Sequence, residues 1–292
     1  MIEVACNHKA QLGEGPVWDE QTGCIYWIDI VDGIVHELNT KNNVHQTYSI
    51  GQMIGTIALC NDGNLLVAAK QGIGMFDLKN KTFDQHQFEE TTKTDNRFND
   101  GKCDINGRLW VGTMALNEAI GAGSLYTVNT RFQFKSQISN LTIPNGMAWS
   151  SDNKKFYFID TVTYSVVEYN FDVATAQLSN GRTVISIDPK EGAPDGMTID
   201  NEGMLWIAHW DGWQVTRWNP NTGEQLLSIK LPVARVTSCT FGGKNFSDLY
   251  ITTAYDRLNE EQLRSQPLAG TLFVWKNCGY KGTPAYRFKV EK

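Results

Sequence analysis

The sequence has no long apolar run, no paired cysteine motif and no cluster of basic residues. No stretch approaches the roughly 18 apolar residues of a membrane helix, so we expect no membrane partner. Residues 1–6 lack the charged segment and apolar run of a secretory signal. The six cysteines form no CxxC pair, which predicts reduced, mostly buried thiols and a cytoplasmic protein.

Common catalytic and nucleotide-binding motifs are also missing. The chain contains no GxSxG elbow, GxGxxG loop, Walker A loop or HExxH helix. A formal net charge of −6 argues against nucleic acid as a partner. No segment keeps a helical period over about ten residues, so a helix-rich fold is disfavoured.

Aromatic residues are abundant, with 9 Trp, 10 Tyr and 13 Phe, and they recur at blade-like intervals. Expected second strands are anchored at Tyr26, Leu66, Trp110, Tyr157, Trp206 and Tyr250. The intervals of 40, 44, 47, 49 and 44 residues match the ~40–50 residues of a four-stranded propeller blade. We therefore predict an all-β, six-bladed β-propeller with four strands per blade, formed by residues 1–292 as one domain. The sixth unit lacks a fourth strand, and we expect residues 2–7 to supply it and close the ring.

An oxygen-bearing side chain precedes glycine near the start of four units. These residues are Glu14, Asp100, Asn145 and Asp195, and the second-strand aromatic follows 12, 10, 12 and 11 residues later. First strands line the channel of a propeller, so we expect these side chains to converge near one end of the axis. The other two units have Gly55-Thr56 and Thr237-Ser238 at that place.

Carboxylate and amide oxygens without His or Cys indicate a hard-cation site that favours calcium, magnesium or manganese. The alternative is that these residues are solvated or form Asx turns, the usual role of a single Asx-Gly pair. Four matching offsets favour the cation site. Glycine after each oxygen-bearing residue suits close approach of a ligand or backbone.

Three further side chains have both a functional and a structural interpretation. Arg97, close to Asn99, suits a polyhydroxylated or anionic substrate, but it also suits a surface loop. Glu118 lies in a Gly- and Ala-rich loop, and a solvated loop charge is the favoured interpretation. His209 lies on an expected strand, where a lone histidine is usually structural.

Motifs spread over nearly the whole chain resemble the SMP-30/gluconolactonase family. They are LGEGP (12–16), RFNDGK (97–102), GTM (112–114), GSLY (123–126), PNG (144–146), PDGM (194–197), TSCTFGG (237–243) and QPLAG (266–270). The resemblance implies a six-bladed propeller with one divalent cation (Ca, Mg, Mn or Zn) in the axial channel.

The resemblance also assigns roles to residues. It implies that Glu14, Asn145 and Asp195 bind the metal and that Asp195 is the catalytic base. Arg97 and Asn99 match the family's substrate-binding residues. Some members have a substrate-contacting glutamate in the loop before Gly123, which makes Glu118 a candidate.

We therefore predict a metal-dependent sugar lactonase that converts an aldonolactone of the gluconolactone type to its acid. Its partner is a small-molecule sugar lactone, and a monomer is favoured. Two alternatives stay open. One is a non-catalytic calcium-binding propeller, which the presence of Arg97 and Asn99 disfavours; the other is a hydrolase of a non-sugar lactone or ester, which Trp210 and Trp213 keep open.

Overall fold

The computed structural model describes residues 1–88 and 95–290 and consists mainly of six four-stranded antiparallel sheets. The innermost strands are β2 (Gly13–Asp19), β6 (Ile54–Leu59), β10 (Asn96–Cys103), β14 (Pro144–Trp149), β18 (Ala193–Ile199) and β22 (Val236–Gly242). Each innermost strand contacts that of the next blade, and β22 contacts β2, so the six strands surround one axis. The predicted six-bladed β-propeller is confirmed.

The remaining strands continue each blade outward. The second strands are β3 (Cys24–Asp29), β7 (Leu65–Ala69), β11 (Leu109–Ala115), β15 (Lys155–Asp160), β19 (Leu205–Trp210) and β23 (Asp248–Thr253). The third strands are β4 (Ile34–Asn39), β8 (Gly72–Asp77), β12 (Gly123–Val128), β16 (Ser165–Phe171), β20 (Gln214–Asn219) and β24 (Leu272–Trp275). The outer strands are β5 (Val44–Ser49), β9 (Thr82–Gln87), β13 (Phe134–Leu141), β17 (Leu178–Ser186), β21 (Glu224–Lys230) and β1 (Ile2–Cys6).

Six apolar clusters, each shared by two neighbouring blades, hold the ring together. Every predicted second-strand anchor is buried, because these strands are covered by a blade on both faces. Two anchors are also hydrogen-bonded: the indole Nε1 of Trp110 donates to Asp104 and that of Trp206 donates to Asp200. A buried indole needs such an acceptor.

Both chain ends close the ring. The N-terminal β1 pairs with β24, from Ile2 opposite Trp275 to Cys6 opposite Leu272, as predicted for the sixth blade. The C-terminal segment then crosses the far end of the channel. It pairs with Asp200 at Gly282, and Phe288 at its other end pairs with Cys60. The segment therefore links blades that are distant along the ring.

Little helix is present in the described residues. A single α-helix, α1 (Glu260–Ser265), begins at Asn259 with a capping box. Short 3₁₀ turns occupy Thr161–Thr163, Pro189–Glu191 and Lys244–Phe246. Within these residues, no helix has the length and apolar character needed to cross a membrane. All six cysteines are buried and unpaired, as predicted.

Every innermost strand contains a β-bulge near its start. In blade 3, for example, Phe98 pairs with Thr113 while Gly101 pairs with Val111, so β10 holds one extra residue. Equivalent register shifts occur in the other five innermost strands. A bulge bends the strand and redirects its side chains. We call the end of the channel where these strands begin the mouth.

Candidate metal and substrate site in the axial channel

The bulges bring the oxygen-bearing residues together near the mouth. Asn99, Asn145 and Asp195 each occupy the first unpaired position of a bulge. Glu14 lies one position earlier, as the last paired residue before the bulge in β2. Asp100 lies one position later than Asn99, so Asn99 rather than Asp100 is the structural equivalent of Asn145. In the sequence, Asp100 matches Asn145 because each directly precedes a glycine. The sequence does not reveal where the extra residue of a bulge lies, so this spacing gave the wrong equivalence.

Direct hydrogen bonds join two of the predicted ligands. The Asn145 amide Nδ2 donates to Asp195 Oδ1 and to Thr161 Oγ1, the latter at 3.1 Å. Asn145 Oδ1 is buried and has no hydrogen-bond partner among the residues that the structure describes. A buried amide oxygen without a partner is costly, which indicates that this atom serves a ligand.

Three carboxyl groups are crowded into this buried place. Burial raises the pKa of Glu14 well above its usual value, and the nearby charges of Asp195 and Asp100 raise it further. Burial and the Asp100 charge likewise raise the pKa of Asp195, against the Asn145 hydrogen bond. Burial also raises the pKa of Asp100, although the Lys102 ammonium opposes this. A bound cation would relieve the repulsion and the desolvation together.

The donor set fits a hard divalent cation. Glu14 and Asp195 offer carboxylate oxygens, and Asn145 offers its unpartnered amide oxygen. Among residues 1–88 and 95–290, no three His, Cys, Asp or Glu side chains form a metal-binding group. The candidate centre differs from such a group because one of its three donors is an amide.

Arg97 and Asn99 form a connected pair beside the acidic residues. Arg97 Nη1 donates to Asn99 Oδ1 at 2.6 Å and to the Phe98 carbonyl at 2.9 Å. Asn99 Nδ2 donates to the Pro144 carbonyl at 2.9 Å, next to Asn145. Burial lowers the pKa of Arg97 to about 10, while the charges of Glu14 and Glu118 oppose the change. The guanidinium therefore stays charged at neutral pH and is held in place by Asn99.

Lys102 is a channel residue that the sequence interpretation did not single out. Its Nζ donates to the Met197 carbonyl at 2.9 Å and so crosses the channel from β10 to β18. On the far side lies a cavity of about 320 Å³ that residues 283–286 of the C-terminal segment help to line. Lys102 is two residues from Asp100, and this alternation along a strand was the signal that could have identified it.

The two remaining blades contribute hydroxyl groups instead of charges. Thr56 Oγ1 donates to the Gly101 carbonyl at 3.0 Å, and Thr237 Oγ1 donates to the Gly13 carbonyl at 2.5 Å. These bonds tie adjacent innermost strands together.

His209 is buried, with Nδ1 3.0 Å from the Glu191 carbonyl and Nε2 2.6 Å from Thr216 Oγ1. Its contacts fit the structural role expected from the sequence.

Glu118 lies at the mouth, in the loop between β11 and β12. Its Oε1 is 2.7 Å from Nη2 of Arg257, which belongs to blade 6. The Glu118 side chain is 38% exposed, so it is a partly solvated loop charge that also has an ion-pair partner. Contact with a substrate remains a prediction.

Comparisons with known proteins indicate one family along nearly the whole chain. The model of the SMP-30/gluconolactonase/LRE-like region matches residues 12–255. Chicken (Gallus gallus) regucalcin is 36% identical, and the match covers 98% of each chain. A solved structure of a luciferin-regenerating enzyme has a TM-score of 0.93 at 31% identity and covers 99% of each chain. A structure described as the calcium-binding protein regucalcin of Agrobacterium tumefaciens has a TM-score of 0.92 at 27% identity, covering 98% of this chain and 96% of that one.

Proposed function

Because the chain belongs to the SMP-30/gluconolactonase/LRE-like family, we propose that it is a metal-dependent lactonase that hydrolyses a sugar lactone. One observation carries the proposal. A buried amide oxygen without a partner, on Asn145, lies among crowded carboxyl groups and beside a fixed guanidinium. This arrangement offers a site for a metal ion and a positively charged arginine that can bind substrate, both within one channel.

Glu14, Asn145 and Asp195 are the residues that would hold the divalent cation. When bound, a divalent cation supplies a Lewis acid for the lactone carbonyl. The side chains are preorganised for this role, because Asn145 is fixed by Thr161 and Asp195 is fixed by Asn145. Calcium, magnesium, manganese and zinc all remain candidates.

Asp195 is the proposed general base. Its Oδ1 accepts the Asn145 hydrogen bond, and its carboxylate is proposed to take a proton from the attacking water. The water oxygen bonds to the carbonyl carbon, and the ring C–O bond then breaks. Asp195 returns the proton to the departing ring oxygen, so the product is the hydroxy acid. Positive charge beside Asp195 lowers its raised pKa and keeps it ionised for the first step.

Arg97 and Asn99 are the proposed substrate-binding pair. The guanidinium has donor groups beyond those used by Asn99 and Phe98, and these can orient hydroxyl groups of a sugar ring. Such contacts supply proximity and orientation rather than chemistry. Glu118 lies near enough to influence the Arg97 charge and is a third candidate contact.

A non-catalytic calcium-binding role is the second candidate. It is favoured by the relative that is described as a calcium-binding protein. The same three ligands would serve it, but it gives no use to the Arg97–Asn99 pair. We also propose a cytoplasmic location, since six buried, unpaired cysteines suit a reducing compartment.

Lactone turnover by metal-reloaded protein tests the proposal. Metal-free protein is reloaded separately with Ca²⁺, Mg²⁺, Mn²⁺ or Zn²⁺, and acid release is followed across a panel of aldonolactones. We expect at least one cation to restore turnover and metal-free protein to be inactive. Tight cation binding without turnover of any lactone would favour the calcium-binding role. A simple non-sugar ester in the panel tests the remaining hydrolase alternative.

A further inference from the structure

An exposed ion pair joins two opposite blades across the mouth. Glu118 belongs to blade 3 and Arg257 to blade 6, which face each other in a ring of six. Arg257 Nη2 lies 2.7 Å from Glu118 Oε1, although the two side chains are 63% and 38% exposed. The contact therefore spans the channel entrance above the acidic residues instead of lying on the outer surface of one blade.

Both residues occupy strained backbone positions. Glu118 has a φ of 57° and Arg257 a φ of 56°, a left-handed conformation that residues with a side chain seldom adopt. Here the two conformations direct two charged side chains from opposite rims toward each other.

The Arg257 side of the contact is firmly anchored. The backbone N–H groups of Tyr255 and Asp256 both donate to the Gln11 carbonyl, at 3.0 and 2.8 Å. Gln11 Nε2 in turn donates to Asp256 Oδ1 at 2.8 Å. The Glu118 loop is held mainly by hydrogen bonds within blade 3, such as Glu118 N–H to the Ala115 carbonyl at 3.0 Å, together with Gly121 N–H to Thr142 Oγ1 at 3.1 Å. The ion pair with Arg257 is therefore the contact that ties this loop to the opposite blade.

The ion pair lies close to the proposed substrate residue Arg97. The charges of Glu118 and Arg257 both influence the Arg97 pKa, the first raising it and the second lowering it. Arg257 Nε also lies 3.4 Å from Asp256 Oδ2, so two guanidinium groups and two carboxylates lie around the ion pair. Together they present donors and acceptors to any molecule that reaches the site.

We propose that the Glu118–Arg257 ion pair is a gate across the channel mouth and that Arg257 is a specificity-determining residue for polyhydroxylated lactones. The specificity role rests on the proposed lactonase function, whereas the gate itself does not. Entry requires that the ion pair separate. Hydroxyl groups of a sugar lactone replace the lost contacts, since Glu118 accepts and Arg257 donates hydrogen bonds. A lactone without hydroxyl groups leaves the Glu118 carboxylate without this compensation, while Arg257 keeps only its 3.4 Å contact with Asp256, so the site discriminates against it.

Hydrogen exchange tests the gate without metal or substrate. Arg257→Gly removes the side chain and suits the left-handed backbone. An exposed ion pair contributes little, so we expect amide exchange of residues 116–122 to rise by about two- to fivefold. The matched control is Arg264→Ala, an exposed arginine whose partner, Glu260, lies on the same helix. Unchanged exchange at 116–122 in Arg257→Gly would overturn the gate, because the altered residue lies on the opposite blade.

A charge-reversed pair provides a rescue. Glu118→Arg combined with Arg257→Glu should restore the wild-type exchange rate of the loop, while either change alone should not. Failure of the double variant to regain protection would show that charge pairing does not hold the loop. High salt should raise exchange in wild type more than in Arg257→Gly, since exposed charges are screened.

Steady-state kinetics test the specificity role. The measured quantity is the ratio of kcat/KM for an aldonolactone to kcat/KM for unsubstituted δ-valerolactone. We expect this ratio to fall by about two- to fivefold in Arg257→Gly, with Arg264→Ala at the wild-type ratio. An unchanged ratio would remove the specificity role. If no lactone is hydrolysed by wild type, the lactonase proposal and this role fail together, and the exchange result still decides the gate.

Discussion

The six innermost strands build two unlike halves of one channel. On the mouth side of the bulges the channel holds three crowded carboxyl groups, an unpartnered amide oxygen and a fixed guanidinium. On the far side the same strands line a cavity with Ala58, Met197 and Cys239, and Asp100 borders this cavity as well. Lys102 crosses the channel between the two halves.

This difference shows that each innermost strand contributes to the proposed chemistry on the mouth side and to stability on the far side. Bulges redirect polar side chains into the channel on the mouth side, where burial makes their charges unfavourable. Beyond the bulges the regular ladder resumes and apolar residues pack between blades. We therefore expect substitutions in the mouth half to change activity and substitutions in the far half to change stability.

Asp195→Asn should produce the largest effect and leave the fold intact. The change keeps one oxygen ligand while removing the proposed base, so turnover should fall by roughly 10²–10⁴. Thermal stability of the metal-free protein should hold or rise, because one charge leaves a crowded group. Turnover, cation affinity and melting temperature are measured on one preparation. If the variant binds metal and hydrolyses lactone as fast as the wild type, Asp195 is a ligand and not the base.

Phe288→Ala should lower stability and leave turnover nearly unchanged, which is the reverse of the result expected for Asp195→Asn. Phe288 is buried in the cluster shared by blades 2 and 3 and joins the C-terminal segment to Cys60. Its truncation should reduce the free energy of unfolding by about 3–5 kcal/mol, measured by denaturant titration. Turnover per folded molecule at low temperature should stay near wild type. Leu226→Ala, on the exposed face of an outer strand, is the control. An equal loss in both variants would contradict a stabilising role for the segment.

Arg97→Ala tests the mouth half at a residue that is not one of the proposed metal ligands. We expect KM to rise by roughly 10- to 100-fold with a smaller fall in kcat, because the residue is proposed to orient ground-state substrate. Arg182→Ala removes an exposed arginine paired with Glu168 in blade 4 and should leave both constants unchanged. A loss confined to kcat would instead assign Arg97 to the transition state.

The pH dependence of stability should show the smallest of these effects, and it tests the carboxyl groups of the mouth half. Glu14 and Asp195 have raised pKa values in the fold, so in the metal-free protein they retain protons that the unfolded chain has lost. Stability should therefore fall as pH rises through the interval between the ordinary and the raised pKa. In EDTA the melting temperature of wild type should fall more steeply with pH than that of Asp195→Asn. Parallel curves would contradict the crowding of charges; histidine titration affects both proteins equally.

Periodicity and residue type were sufficient for the fold. Trp110 and Trp206 anchor second strands because large aromatic residues at blade-like intervals can be buried only between sheets. The N-terminal strand was predictable because a sixth unit with three strands needs a partner for its edge. The candidate site was predictable as residue types, in that Glu14, Asn145 and Asp195 carry oxygen donors at matching spacings, while their metal-binding roles remain predictions.

Other features depend on residues that are far apart in the chain. The sequence by itself determined the number of blades, the inward strands and the oxygen-rich character of the channel, because local alternation and repeat length are written in consecutive residues. Only the tertiary structure decided that Lys102 reaches Met197 and that Glu118 meets Arg257. Ring closure brings these side chains together across separations of 95 and 139 residues, and no short-range pattern encodes such a contact.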